Sequence, residues 1–382
     1  MSSMKIRLYA AALLLALLAG CAPGGEAPAS PTPLPVETAP AKTAAAEATP
    51  TPEPAVVPLD VTALPLEGSG QIVLYGERHG DPVLYATELE LWKGYYAQGL
   101  RHLFVEFPYY TAEYLNLWMK AEDDTILNEV YRDWRGTAAQ SEADRAFFQA
   151  IKEQCPETVF HGTDVGHQYQ TTGARYLEYL RETGQEDSAA YRLAEAVCEQ
   201  GLRYYAKEDN EYRENAMAEN FIRAFEALEG ESVMGIYGAA HTDTGAMNYG
   251  SGTVPSMAGQ LYQRYGDALQ TVDLTKFPQR VDVLTVNGKA YQAPYFGEHD
   301  ISHFSDQYTS RAFWRLEGAY EDFKDCPKTG DVLPFNNYPA DVEAGQVFVI
   351  DYTRPDGTVV RMYYRSDGNT WNDLPVTEEF IP

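Results

Sequence analysis

Positive charge is what this sequence has least of: 29 lysines and arginines stand against 56 aspartates and glutamates, a formal net charge of −27. A surface so acidic repels phosphate backbones and anionic lipid headgroups, which argues against nucleic acid as a partner. Cysteine is scarce too, with four in 382 residues. Cys155, Cys198 and Cys326 are too scattered to build a disulfide framework or a thiolate zinc site. There is no internal repeat. The apolar run from Ala10 to Gly20 is too short to stay in a bilayer as a permanent span.

That short run has another use. Lys5 and Arg7 precede it, and Leu18-Ala19-Gly20-Cys21 closes it with small residues and a cysteine, the arrangement of a bacterial lipobox. Residues 1–20 are therefore expected to be a signal peptide and Cys21 a lipidated residue. The protein would then be extracytoplasmic and held to the cell membrane by its lipid. Residues 21–58 are dominated by Ala, Pro, Thr and Glu and lack the aromatic and aliphatic side chains that offset ordering entropy. They are expected to form an extended tether.

From Gln71 to about Phe277 strand and helix patterns alternate, which predicts an α/β domain over 59–280 with a mostly parallel sheet flanked by helices. Strands are expected at 71–75, 103–107, 158–160, 232–237 and 269–274. Helices are expected at 85–98, 111–120, 125–134, 142–154 and 173–181, with one long helical stretch over 189–228. From Val281 the texture changes to hairpin signals, with strands at 282–286, 290–296, 347–352 and 359–364 and a strong turn at Arg354-Pro355-Asp356-Gly357. Residues 281–382 are expected to be a small antiparallel β-rich module with one helix near 310–323.

Chemically capable residues fall where the expected parallel strands end. Gly76-Glu77-Arg78-His79 follows the first, Glu106 ends the second, Asp164 follows the third and Gly238-Ala239-Ala240-His241 follows the fourth. The carboxyl ends of parallel strands meet at one edge, so these residues should share one crevice. Glu106 interrupts an otherwise apolar Leu-Phe-Val-Glu-Phe segment, and a buried carboxylate there needs a cation, a hydrogen-bond donor or a metal beside it. Arg213, Met217 and Asn220 share one face of a helix, which suggests that face looks into the crevice. Asp164 and Asn220 are candidates for touching substrate.

These pieces, in this order and spacing between Gln71 and His241, resemble the Tiki/TraB superfamily, which includes ChaN-like haem-uptake lipoproteins and the erythromycin esterases. The one-residue gap between Glu77 and His79 is that of ChaN-like and Tiki-like members, while Arg213 to Asn220 leans toward the esterases. The resemblance implies two Gly-x-x-His motifs and acidic residues lining one cavity. In Tiki-like members such a set holds a divalent metal for peptide hydrolysis; in the esterases a histidine activates water against a lactone without metal. Either use is chemically sound here. Glu77, His79, Glu106 and His241 are a plausible ligand set for Mn or Zn. Without metal, the same groups with Arg213 can supply a general base and a charge to steady an oxyanion. The leading expectation is a cell-surface hydrolase of an ester, lactone or peptide. The alternative is a ChaN-like lipoprotein that captures haem or a similar cofactor.

Overall fold

The computed structural model describes residues 56–137, 140–248, 251–302, 305–371 and 374–382. The expected signal peptide, Cys21 and nearly all of the tether lie outside them. Among the described residues no helix is long and apolar enough to cross a membrane.

The α/β part runs β1 (Ile72–Glu77), α1 (Pro82–Ala97), β2 (His102–Pro108), α2 (Tyr109–Met119), α3 (Thr125–Asp133), α4 (Glu142–Gln154), β3 (Val159–Asp164), α5 (Ala174–Glu182), α6 (Ala189–Tyr205), α7 (Asn210–Glu226), β4 (Val233–Gly238), α8 (Met257–Tyr265) and β5 (Leu269–Asp273). The five strands form a wholly parallel sheet in the order β3-β2-β4-β1-β5. All six residues of β1 are buried, as a strand covered on both faces requires. Its side chains alternate between two cores. Val73 and Tyr75 pack with Trp92, Leu115 and Trp118 from α1 and α2, while Ile72 and Leu74 pack with Phe221 of α7 and Leu261 of α8.

The stretch 189–228 is two helices rather than one. Glu208 takes a positive φ of 51°, and Asp209 caps α7 by accepting from the Tyr212 amide at 3.0 Å. An aspartate used as a cap satisfies a backbone donor that a continuous helix would not leave open. This break starts α7 afresh at the carboxyl edge of the sheet, with Arg213 and Glu214 within its first turn and a half.

The C-terminal part holds β6 (Arg280–Val286), β7 (Lys289–Asp300), β8 (Ser310–Arg315), a single helical turn α9 (Tyr320–Phe323), β9 (Lys328–Pro334), β10 (Val347–Thr353), β11 (Val359–Arg365), β12 (Thr370–Trp371) and β13 (Leu374–Phe380). They form an antiparallel sheet of eight strands, the C-terminal antiparallel β-rich module expected. The helix expected near 310–323 is a strand followed by that single turn. β8 pairs with both β7 and β10, so its aromatic and arginine side chains sit on a pleated surface rather than a helix face. Cores lie on both sides of this sheet, one around Phe313 and Phe348, the other around Tyr291, Val349 and Phe380.

Candidate active site

Glu77 is the last residue of β1, and His79 lies two residues beyond it. Glu106 sits near the end of β2, where the pairing with β3 slips between Val105 and Pro108. The extra residue bends the strand and re-aims its side chains. β4 lies between β1 and β2 and ends in Gly238, whose amide donates to Glu106 Oε2 at 2.6 Å. A side chain at 238 would crowd the site, because its Cβ would stand 3.3 Å from both Glu106 Oε2 and His79 Nε2. A short helical turn then carries His241.

The side chains converge on one atom. Glu106 Oε1 accepts from Arg213 Nη2 at 2.6 Å and lies 3.8 Å from His79 Nε2 and 3.6 Å from His241 Nε2. Both imidazoles therefore approach a single carboxylate oxygen. Each has its own carboxylate on the far side. His79 Nδ1 is hydrogen-bonded to Glu77 Oε1, and His241 Nδ1 to both oxygens of Glu214, at 3.0 and 2.8 Å. Glu214 is fixed in turn by the Met257 amide at the N-terminus of α8, where the helix dipole favours an anion.

Arg213 is the charge at the centre. Its Nε and Nη2 donate to the two oxygens of Asp164 at 3.0 and 2.7 Å, a bidentate pair that fixes the plane of the guanidinium. His167 bonds Asp164 Oδ2 at 2.9 Å and the Tyr205 hydroxyl at 2.6 Å. Burial pushes the Asp164 carboxyl toward its neutral form, but Arg213 and His167 override it and hold the group well below the usual carboxylate range. Glu106 behaves likewise. Burial works against its charge, yet His241, His79 and Arg213 bring its pKa down to about 2. His79 moves the other way. The Glu77 carboxylate, against the opposing effect of burial and with help from Glu106, raises it to about 10. At neutral pH His79 is an imidazolium.

The geometry brings Glu77, His79, Glu106, Arg213 and His241 together. Asp164 and Asn220, expected to touch substrate, are each held by neighbouring protein groups. Asp164 anchors Arg213. Asn220 is almost wholly buried, donates to the Thr163 carbonyl at 3.1 Å and exchanges hydrogen bonds with Gln200, tying α7 and α6 to the end of β3. Glu214 was missed by sequence reasoning, although a signal for it exists. With Met217, Ala218 and Phe221 it forms a stripe at helical spacing, so it is a carboxylate interrupting an apolar face, as Glu106 is in β2.

The residues expected to bind Mn or Zn are a poor fit for such an ion. Arg213 Nη2 already occupies the Glu106 oxygen toward which both imidazoles point, and an ion shared by that oxygen would stand against a fixed positive charge. Both nitrogens of His79 face carboxylates. Among the described residues no three His, Cys, Asp or Glu side chains are grouped so as to hold a metal ion.

No protein-family model matches the chain, and no curated protein matches its sequence. Three solved structures are similar to it at low identity. A succinoglycan biosynthesis protein is 13% identical, with a TM-score of 0.42 over 59% of this chain and 71% of its own. An erythromycin esterase variant in its open conformation is 10% identical, with a TM-score of 0.40 over 65% and 83%. A protein from Bacillus cereus is 13% identical, with a TM-score of 0.40 over 82% and 86%. At these scores the likenesses are distant.

Proposed function

We propose that this chain is a hydrolase acting on a carbonyl bond, an ester or lactone in the first instance, through two carboxylate-backed imidazoles and without a metal ion. The observation that carries this reading is the convergence of His79 Nε2 and His241 Nε2 on Glu106 Oε1, each ring held from behind by its own glutamate. A carboxylate behind an imidazole fixes the ring's orientation and steadies the imidazolium formed during proton transfer.

The two rings are assigned different roles. His79 carries a proton on each nitrogen at neutral pH, which suits it to protonate a leaving alcohol. With Nδ1 engaged by Glu214, His241 turns Nε2 toward Glu106 Oε1 and Arg213 Nη1, at 3.6 and 3.4 Å, and Nε2 is the nitrogen assigned to taking a proton from water. Arg213, locked by Asp164 and Glu106, supplies a fixed positive charge where a tetrahedral oxyanion would form. Haem capture is less well served. It needs an imidazole lone pair facing an open slot, whereas both nitrogens of His79 face carboxylates and His241 Nε2 faces Arg213 and Glu106.

The reading is tested by turnover of p-nitrophenyl acetate, δ-valerolactone and a short peptide before and after dialysis against a chelator. It expects ester or lactone turnover that survives the chelator and is lost in His79→Ala and in His241→Ala. Turnover that vanishes with the chelator and returns with Mn or Zn would reinstate the metal. A Soret band on adding haem, with no turnover, would favour the binder. We further infer from the lipobox at Cys21 that the protein works outside the cytoplasm on a lipid anchor.

A further inference from the structure

Arg78 stands between Glu77 and His79 in the chain, and its side chain reaches the C-terminal sheet. Its Nη1 is hydrogen-bonded to His299 Nε2 at 2.9 Å, and its Nη2 donates to Asp81 Oδ2 at 2.7 Å. Gln279 donates to the same Asp81 oxygen at 3.1 Å. The other Asp81 oxygen caps α1 through the Val83 amide at 2.9 Å. The short loop bearing His79 is thus held at one end by β1 and at the other by side chains from the C-terminal part.

The receiving surface is shaped for this contact. The pairing of β7 with β8 slips between Tyr295 and Glu298, and Gly297 within that bulge has φ +97°. A Cβ there would come within 3.0 Å of Gln279 Nε2 and 3.3 Å of Arg78 Nη2. Both the backbone conformation and the space favour glycine. Burial, with Arg78 and Arg311 nearby, lowers His299 to about 3. A neutral ring has one lone pair, and Nε2 can present it to the guanidinium.

We propose that the C-terminal sheet is a working part of the site, with His299 and Gln279 acting as positioning residues that set His79 by clamping Arg78 and Asp81. This rests on the hydrolase reading for its kinetic readout only. A catalytic imidazole displaced by a fraction of an ångström loses much of its effect on kcat while substrate binding elsewhere is little changed.

The test uses the full chain and p-nitrophenyl acetate, with His299→Phe, His299→Gln and Gln279→Ala beside the unaltered protein. His299→Phe removes the acceptor, and His299→Gln keeps a carbonyl oxygen in its place. We expect His299→Phe to lower kcat by about tenfold with KM within about twofold, Gln279→Ala to lower it by less, and His299→Gln to restore most of it. The His79 ring signals in a proton–nitrogen NMR spectrum should shift or broaden in His299→Phe and return in His299→Gln. Wild-type kcat and an unmoved His79 signal in His299→Phe would overturn the proposal, as would His299→Gln proving as poor as His299→Phe. If His299→Phe does not fold, Gln279→Ala decides, since Gln279 is only half-buried; an unchanged kcat and His79 signal there refute the clamp. If the unaltered protein turns over no ester, the hydrolase reading fails, and the NMR comparison still judges the clamp.

Discussion

Glu88 should be a residue whose removal makes the protein more stable. It lies on α1 behind the His79 dyad, fully buried, and neither carboxylate oxygen has a hydrogen-bond partner. Burial first, then Glu77, Asp144 and Asp81, raise its pKa well above the ordinary glutamate value, so the native protein keeps it as a neutral acid. Two costs follow. An unsatisfied buried polar group costs about 1–3 kcal/mol. The native state also holds a proton that the unfolded chain releases above a pKa of about 4.3, so stability falls by about 1.4 kcal/mol per pH unit from there until the raised native pKa is reached. The sign is fixed by the raised acid pKa: the penalty is absent below the unfolded value and grows as pH rises. Glu88→Leu removes both costs at similar volume, with a gain at pH 7 of at least about 1–3 kcal/mol. Asp144, pushed by burial up to about 7, adds a slope of the same sign and remains in the variant. The assay is urea unfolding at half-unit steps from pH 5 to 8, comparing midpoints of wild type and Glu88→Leu. A variant less stable than wild type across that range, with an undiminished pH slope, would refute the argument and mean that Glu88 is ionised and paired.

Removing the central cation should do the reverse. Arg213→Gln leaves Glu106 and Asp164 buried without their shared partner and should cost about 3–5 kcal/mol in urea unfolding, with esterase activity lost. The folded-state pKa of His79 is raised to about 10, so its stabilising contribution is complete below the unfolded histidine value and disappears as pH climbs through 10; kcat should fall over the same alkaline range if His79 is the acid. His79→Ala and His241→Ala should each abolish most turnover, and the double variant should lose little more, because both rings serve one proton transfer; losses that multiply would refute a shared unit. Cys21→Ser should leave the protein unanchored or unprocessed in cell fractionation with its α/β circular dichroism intact, and a variant still processed and membrane-bound would remove the lipid anchor.

The sheet was readable because β1, β2 and β4 are continuous apolar runs that break off in glycine, proline or a charged residue. That punctuation also revealed the strand ends where Glu77, Glu106 and His241 stand. The strand order was not readable, and with it went the knowledge that β4 separates β1 from β2, so that Gly238 lies between Glu106 and His79. The break before α7 was hidden because Lys207-Glu208-Asp209 can continue a helix as well as cap one. β9 and β13 escaped because Lys328-Thr-Gly-Asp and Thr377-Glu-Glu do not alternate apolar with polar. They are only partly buried, so the pattern that marks a half-buried strand is faint in them. His299 could not be seen as part of the site from sequence, because 221 residues separate it from Arg78.

The arrangement also accounts for how so many charges can share so small a space. Four carboxylates, Glu77, Glu106, Asp164 and Glu214, surround Arg213 and two imidazoles, and ionised groups removed from water are tolerated only when paired and hydrogen-bonded. If His241 takes a proton from water while His79 gives one to the leaving oxygen, the proton gained at one ring balances the proton lost at the other, on either side of Glu106 Oε1. Each ring keeps its own glutamate on Nδ1 throughout. The summed charge of the protein groups is then the same before and after the step. Among buried side chains a transfer that conserves that charge avoids the solvation cost of creating or discharging a buried ion. Placing one carboxylate behind each ring and a single shared one between them is the arrangement that permits such an exchange in either direction.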